Sequence, residues 1–297
     1  MHAARVLASI VVGLSLVAGV RAQPAEAPPP PADQIVVTGT RDRDEQVRDF
    51  VRALTPARSG AVPRFIDAVC PHVTGMVPAA AERVVARLRA TAAAGGLRVL
   101  PPGCVPNAFL IIARDKGAFI RALARTRPDS FGLMTAAQIR RLARTPGPAA
   151  AWVLEGPVDA DGIPLRFDES IGAYRDDTVV AASRLRTASA RGFDASALVV
   201  EAAALNGLTG VQLADYAAMR LFAKLDPARL EEPLPPTILT VLTTPMGQPV
   251  QITMSEWDLG FLRGLYAGAG DLSPSGMRSR ITREVTRRTE AATSPEE

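Results

Sequence analysis

Hydrophobic positions along the chain fall into three patterns. The first is a continuous run: Val6 to Val20 carries no charge and is built from small and aliphatic residues. Arg5 precedes it, and Val20-Arg21-Ala22 places small residues three and one positions before Gln23. A basic start, a short apolar core and a small-residue exit predict a secretory signal peptide over 1–22. The run is shorter than the roughly 20 apolar residues that a membrane-spanning helix needs.

The second pattern repeats every three to four residues and predicts amphipathic helices. Val47, Phe50, Val51 and Leu54 form one stripe, with Asp42 as N-cap and Glu45 three residues on. Val84, Val85, Leu88 and Ala92 form the next, opened by Pro78 and ended by Gly95-Gly96. Phe119, Ile120 and Leu123 follow a capping Asp115, and a further helix runs to Leu142 behind a Thr135/Gln138 capping box. Thr209 and Gln212 make the same box ahead of Val211, Ala214, Ala218, Leu221, Phe222 and Leu225. Ser255 and Asp258 cap a helix with Phe261, Leu262 and Leu265 inward. Ser273-Pro274 starts the last one, with Met277, Ile281 and Val285 inward and Arg280, Arg283 and Arg287 on a solvated face.

The third pattern is the short apolar or β-branched block, which predicts strands at Leu97–Leu100, Ala108–Ala113, Trp152–Glu155, Ile163–Phe167, Ser183–Ser189 and Ala197–Leu205. Asp159-Ala-Asp161-Gly162 has the composition of a hairpin turn between two of them. Helices interleaved with strands predict an α+β fold, with helices packed on a mixed or antiparallel sheet. The expected layout is a signal peptide (1–22), a proline-rich spacer and strand-like segment (23–41), an α+β domain (42–290) and a disordered tail (291–297). The Pro146-Gly147-Pro148 break marks a candidate sub-boundary near 146–150.

Composition narrows the function classes. Hydrophobic residues make up 47% of the chain, enough for a sizeable core, and aromatic residues only 5%, too few for a base-stacking platform. Loss of Arg5 and Arg21 with the signal lowers the formal net charge from +4 to +2, so the expectation is no nucleic-acid partner and no broad basic face. Cys70 and Cys104 are the only cysteines, and an even pair in an exported chain predicts a disulfide. Reactive thiols, or a metal site joining both to His72, are the alternatives; a closed zinc site needs a fourth ligand.

Familiar catalytic patterns are missing. The chain after the signal has one histidine, no G-x-S-x-G elbow, no P-loop and no dinucleotide glycine pattern. Asp159, Asp161 and Asp168 around Gly162 have a superficial calcium-loop spacing, but Pro157 stands at the first ligand position without a side-chain oxygen. Neither a metal nor another cofactor is therefore expected. Ile35, Val36, Val37 and Thr38 are candidates for an edge strand, or for a strand offered to a partner on the flexible spacer.

Three resemblances add to this reading. Gln34-Ile-Val-Val-Thr-Gly-Thr-Arg41 resembles a segment near the mature N-terminus of many TonB-dependent outer-membrane receptors, whose 22-stranded barrel this chain is too short to build. The element order over 150–290 resembles a zincin-like metalloprotease without its metal motif. Ala214-Asp215-Tyr216-Ala217-Ala218 stands where that family has H-E-x-x-H, which implies Asp215 in the general-base position and no ligand at Ala214 or Ala218. Pro102-Gly103-Cys104, Gln212 to Met219 and Trp257 to Tyr266 resemble uncharacterised secreted bacterial α+β proteins. The expected function is a periplasmic or secreted, non-catalytic envelope protein that binds a protein or peptide and has no membrane span after signal cleavage. The alternative is a zincin-like or carboxylate-dependent hydrolase using Asp215.

Overall fold

The structure, a computed structural model, describes residues 40–55, 62–159, 165–170, 172–175, 189–245, 247–268 and 273–292. All belong to one compact unit, Gly39–Glu297. In chain order the elements are α1 (Thr40–Leu54), β1 (Arg64–Phe65), β2 (Pro71–Thr74), α2 (Pro78–Ala94), β3 (Ala108–Ala113), α3 (Lys116–Thr126) and α4 (Ala136–Ala143). They continue with β4 (Ala149–Asp159), β5 (Arg166–Asp168), β6 (Ala173–Arg175), β7 (Ser189–Glu201), α5 (Gly210–Phe222), α6 (Glu256–Tyr266) and α7 (Pro274–Ala291).

A five-stranded sheet is organised around the long strand β7. β4 pairs antiparallel along one side of it, while β1 and β3 pair parallel along the other and β2 lies parallel beside β3. The fold is α+β with a mixed, mostly parallel sheet, which removes the antiparallel alternative. The cause is the crossover: α2 returns the chain so that β3 enters the sheet in the direction of β2, as only a long connection allows. The disulfide Cys70–Cys104 (Cα–Cα 6.1 Å) closes this crossover from the residue before β2 to the loop before β3. Beside it the Asn107 side chain accepts from the Cys70 N–H (2.7 Å) and donates to the Ala68 carbonyl (3.1 Å). At the far end of β2, Gly75 (φ 84°) passes so close to the Ile112 carbonyl that a Cβ would lie 2.1 Å from its oxygen.

Both faces of the sheet are covered, giving three layers. Leu110, Leu198 and Val200 point into the larger core with α2 and α5, while Phe109, Ile111, Ala197 and Val199 face the smaller one under α3 and α4. This alternation is the period-two signature of a strand buried on both sides. Ten of the thirteen α5 residues are buried, because α5 lies against β3, β4 and β7 of the sheet and α2 and α6 pack against it. Val211, expected inward, lies in the first turn and is 41% exposed.

Several elements differ from the sequence expectation. Residues 97–100 contribute one bridge, Val69 to Val99, instead of a strand. Strand β7 ends at Glu201, and Ala202–Leu205 turn as a 3₁₀ helix. Among the described residues β4 pairs with β7 and β5 with β6, and the Leu165 N–H returns to the Pro157 carbonyl at 3.0 Å, while Ile163 and Pro164 of the expected hairpin lie outside the described residues. Residues 34–39, the turn residues 160–164 and residues 183–188 lie outside the described residues. At the end of the first of these segments, Thr40 and Arg41 open α1, which places Asp42 in the first turn instead of at the N-cap. β3 from the first half shares a sheet with β4 and β7 from the second, on either side of the candidate sub-boundary at 146–150.

Candidate functional site

Asp215, the residue singled out as a general base, is fully buried in the middle of α5. Its Oδ1 accepts from Arg87 Nε (2.8 Å) and Thr91 Oγ1 (3.0 Å). Its Oδ2 accepts from Arg87 Nη2 (2.8 Å), Thr253 Oγ1 (2.7 Å) and the Met254 N–H (2.9 Å). Arg87 and Thr91 are one turn apart on α2, so a single helix face supplies a bidentate guanidinium fork and a hydroxyl. Burial pushes the Asp215 carboxyl up, but the Arg87 fork, the Met254 N–H and the Thr253 hydroxyl outweigh it and hold the group below the ordinary carboxylate range. Five donors occupy the two oxygens, leaving no acceptor site aimed at a substrate. Asp215 is a cross-brace joining α2, α5 and the 251–254 segment, which Gln212 also grips through the Gln251 carbonyl (2.9 Å). Asp215 and Tyr216 are not the polar flank of an amphipathic helix, since Tyr216 is buried too, its hydroxyl accepting from Arg220 (2.8 Å).

Asp258 is the second buried carboxyl. It closes the capping box of α6 through the Ser255 N–H (3.0 Å) and also accepts from the Ile238 N–H (2.9 Å) and Thr237 Oγ1 (2.5 Å). Among the described residues none of its partners is a cation, and burial outweighs these donors and pushes its carboxyl up. Both aspartates therefore hold loops onto helices, with opposite electrostatic signs.

The remaining sequence candidates do not converge. Asp168 accepts from Ser170 N–H (2.9 Å) in a local turn, while Asp161, Ile35, Val36, Val37, Thr38 and the side chain of Asp159 lie outside the described residues. Cys70 and Cys104 are consumed by the disulfide, and the His72 ring packs edge-on to Phe109 at 6.2 Å. Among the described residues no group of three or more His, Cys, Asp or Glu side chains is placed to hold a metal ion.

One concentration of exposed chemistry leaves no mark on the hydrophobic pattern of the chain. Residues 114–148 contain eight Arg or Lys and two Asp or Glu, a formal +6 against +4 for the whole chain, so the rest sums to −2. That stretch is α3, α4 and their connections, packed together on one face of the sheet. Lys116 is turned inward to Glu201 (3.8 Å), and Arg127 pairs with Asp129 (3.7 Å). Arg125, Arg140, Arg141 and Arg144 are exposed and make no ion pair among the described residues. A groove of about 480 Å³ runs between the two helices, with Arg121, Arg125 and Arg140 on its walls and Ala124, Met134 and Ile139 among its apolar lining.

The groove is held firmly. Asp115 caps α3 by accepting from the Ala118 N–H (2.7 Å), and Thr135 with Gln138 boxes the start of α4. The turn between the helices is pinned where Phe131 stacks on Trp152 (5.1 Å) and the Trp152 indole donates to the Ser130 carbonyl (2.8 Å). No family model, curated protein or solved structure matches the chain. The site is therefore characterised by its own geometry: a fixed, concave, arginine-walled surface on one side of the sheet. A local charge count over a 35-residue window would have exposed it, whereas the near-neutral total conceals it.

Proposed function

We propose that the protein is an exported, non-catalytic binding module of the cell envelope, and that α3 and α4 form its binding face. The observation that carries this reading is the segregation of charge: +6 within 114–148, with exposed arginines lacking partners among the described residues. An electropositive face of this kind steers and holds a negatively charged partner. The commitment of Asp215 to five structural hydrogen bonds supports binding over hydrolysis. Export to the periplasm is supported by the apolar run Val6 to Val20 behind Arg5. The disulfide is compatible with it, as is the lack, among the described residues, of a helix long and apolar enough to cross a membrane.

Crosslinking in the periplasm, followed by affinity capture, tests the reading with three forms of the chain. Wild type and a variant lacking residues 23–41 are expected to capture the same partner, while Arg125→Glu/Arg140→Glu loses it. Loss in the deletion alone would transfer binding to the Ile35–Thr38 segment and reject the helical face.

A further inference from the structure

Building on that binding face, we propose that the α3/α4 groove takes an acidic peptide segment whose carboxylates alternate with apolar side chains. The groove has two chemistries in one concavity: guanidinium groups of Arg121 and Arg125 on one wall and Arg140 on the other, with Met134 and Ile139 between them. Planar guanidinium forks match carboxylates in pairs of parallel hydrogen bonds. The partly buried apolar lining gives the side chains between those carboxylates a place to leave water, so affinity and specificity come from different atoms of the same segment.

The same features disfavour other polyanions. None of the residues lining the groove is aromatic, so bases have no ring on which to stack. A bilayer cannot enter a concavity; it would meet the connecting turn, where Leu133 (82% exposed) is the one large exposed apolar side chain of the α3–α4 region. The anchored turn and the two helix caps keep the walls at fixed spacing before binding, which reduces the ordering cost on the protein side.

Fluorescence polarisation of the intact, oxidised protein tests the proposal with three probes: a labelled peptide of roughly twelve alternating Glu and Leu residues, polyglutamate of equal length, and phosphatidylglycerol vesicles. The alternating peptide is expected to bind at least about tenfold more tightly than polyglutamate and to weaken as salt rises from about 0.05 to about 0.5 M. Arg125→Glu/Arg140→Glu weakens both peptides by about tenfold or more, while the uncharged Ile139→Ser, or Met134→Gln if the first variant melts early, erases only the advantage of the alternating peptide. Equal binding of the two peptides overturns the peptide-groove proposal and leaves the basic binding face standing. Preferential vesicle binding that Leu133→Ser abolishes overturns it in favour of a membrane surface. Absence of charge-dependent binding to every probe overturns the proposal and the binding-face reading together.

Discussion

Asp215 and Asp258 are both fully buried aspartates, and their neighbours give them opposite behaviour. Every partner of Asp215 is a donor, and one is a guanidinium; Asp215→Asn would turn an amide N–H₂ toward donors at one of its two oxygens. Its expected cost is about 3 kcal/mol, read as a lowered urea midpoint. At Asp258 the amide of Asp258→Asn can replace Oδ1 and donate to Thr237, while the remaining oxygen keeps the Ile238 and Ser255 donors, so the expected loss is only about 1 kcal/mol. The pH dependences have opposite signs. Asp215, held below the ordinary range, contributes stability that is complete above the unfolded value and lost as pH falls through its folded value. Asp258 is held above that range, so the folded state keeps a proton that the unfolded state sheds, and stability falls as pH rises across that window. In pH-dependent urea melts Asp258→Asn should remove that decline, and an unchanged slope would reject the assignment. The spacing of Asp215 on a helix was legible in the sequence; its partners were not, since Arg87 lies 128 residues away and Thr253 38.

At the level of elements, capping chemistry was the most legible signal because it is local. Thr135/Gln138, Thr209/Gln212 and Ser255/Asp258 each make the expected reciprocal box, three residues apart. Helix-to-helix contacts are less legible, as α6 and α7 show. A Cβ at Gly260 would lie 2.8 Å from Val285 Cα, and one at Gly264 would lie 2.5 Å from Ile281 Cα, so the two glycines form a stripe that lets the helices approach closely. Gly264→Ala should force them apart at a cost of roughly 1–3 kcal/mol despite the better helix propensity of alanine. A calorimetric melt in which Gly264→Ala raises Tm would show that propensity outweighs the close contact. Arg280, expected on a solvated face, instead donates from Nε to the Gly264 carbonyl (3.0 Å), helping to close the end of α6.

At the scale of the whole molecule, the disulfide and the sheet define the scaffold that presents the arginine groove. Cys70 and Cys104 are 34 residues apart, so Cys70→Ser/Cys104→Ser should lose about 4 kcal/mol through the freed loop. The wild-type protein should resist alkylation in intact-mass analysis until reductant is added; labelling of both cysteines before reduction would refute the bond. By itself the sequence determined the helix starts other than that of α1, the strand Ala108–Ala113, the cysteine pairing and the α+β class, because each follows from residues close in sequence or from a pair with no competitor. Tertiary structure alone decided the parallel pairing of β2, β3 and β7, the burial of α5 and the partners of Asp215. It also turned a run of arginines into a groove with two walls. Those features depend on which distant segments share a face, and hydrophobic periodicity records that a face is buried without recording what buries it.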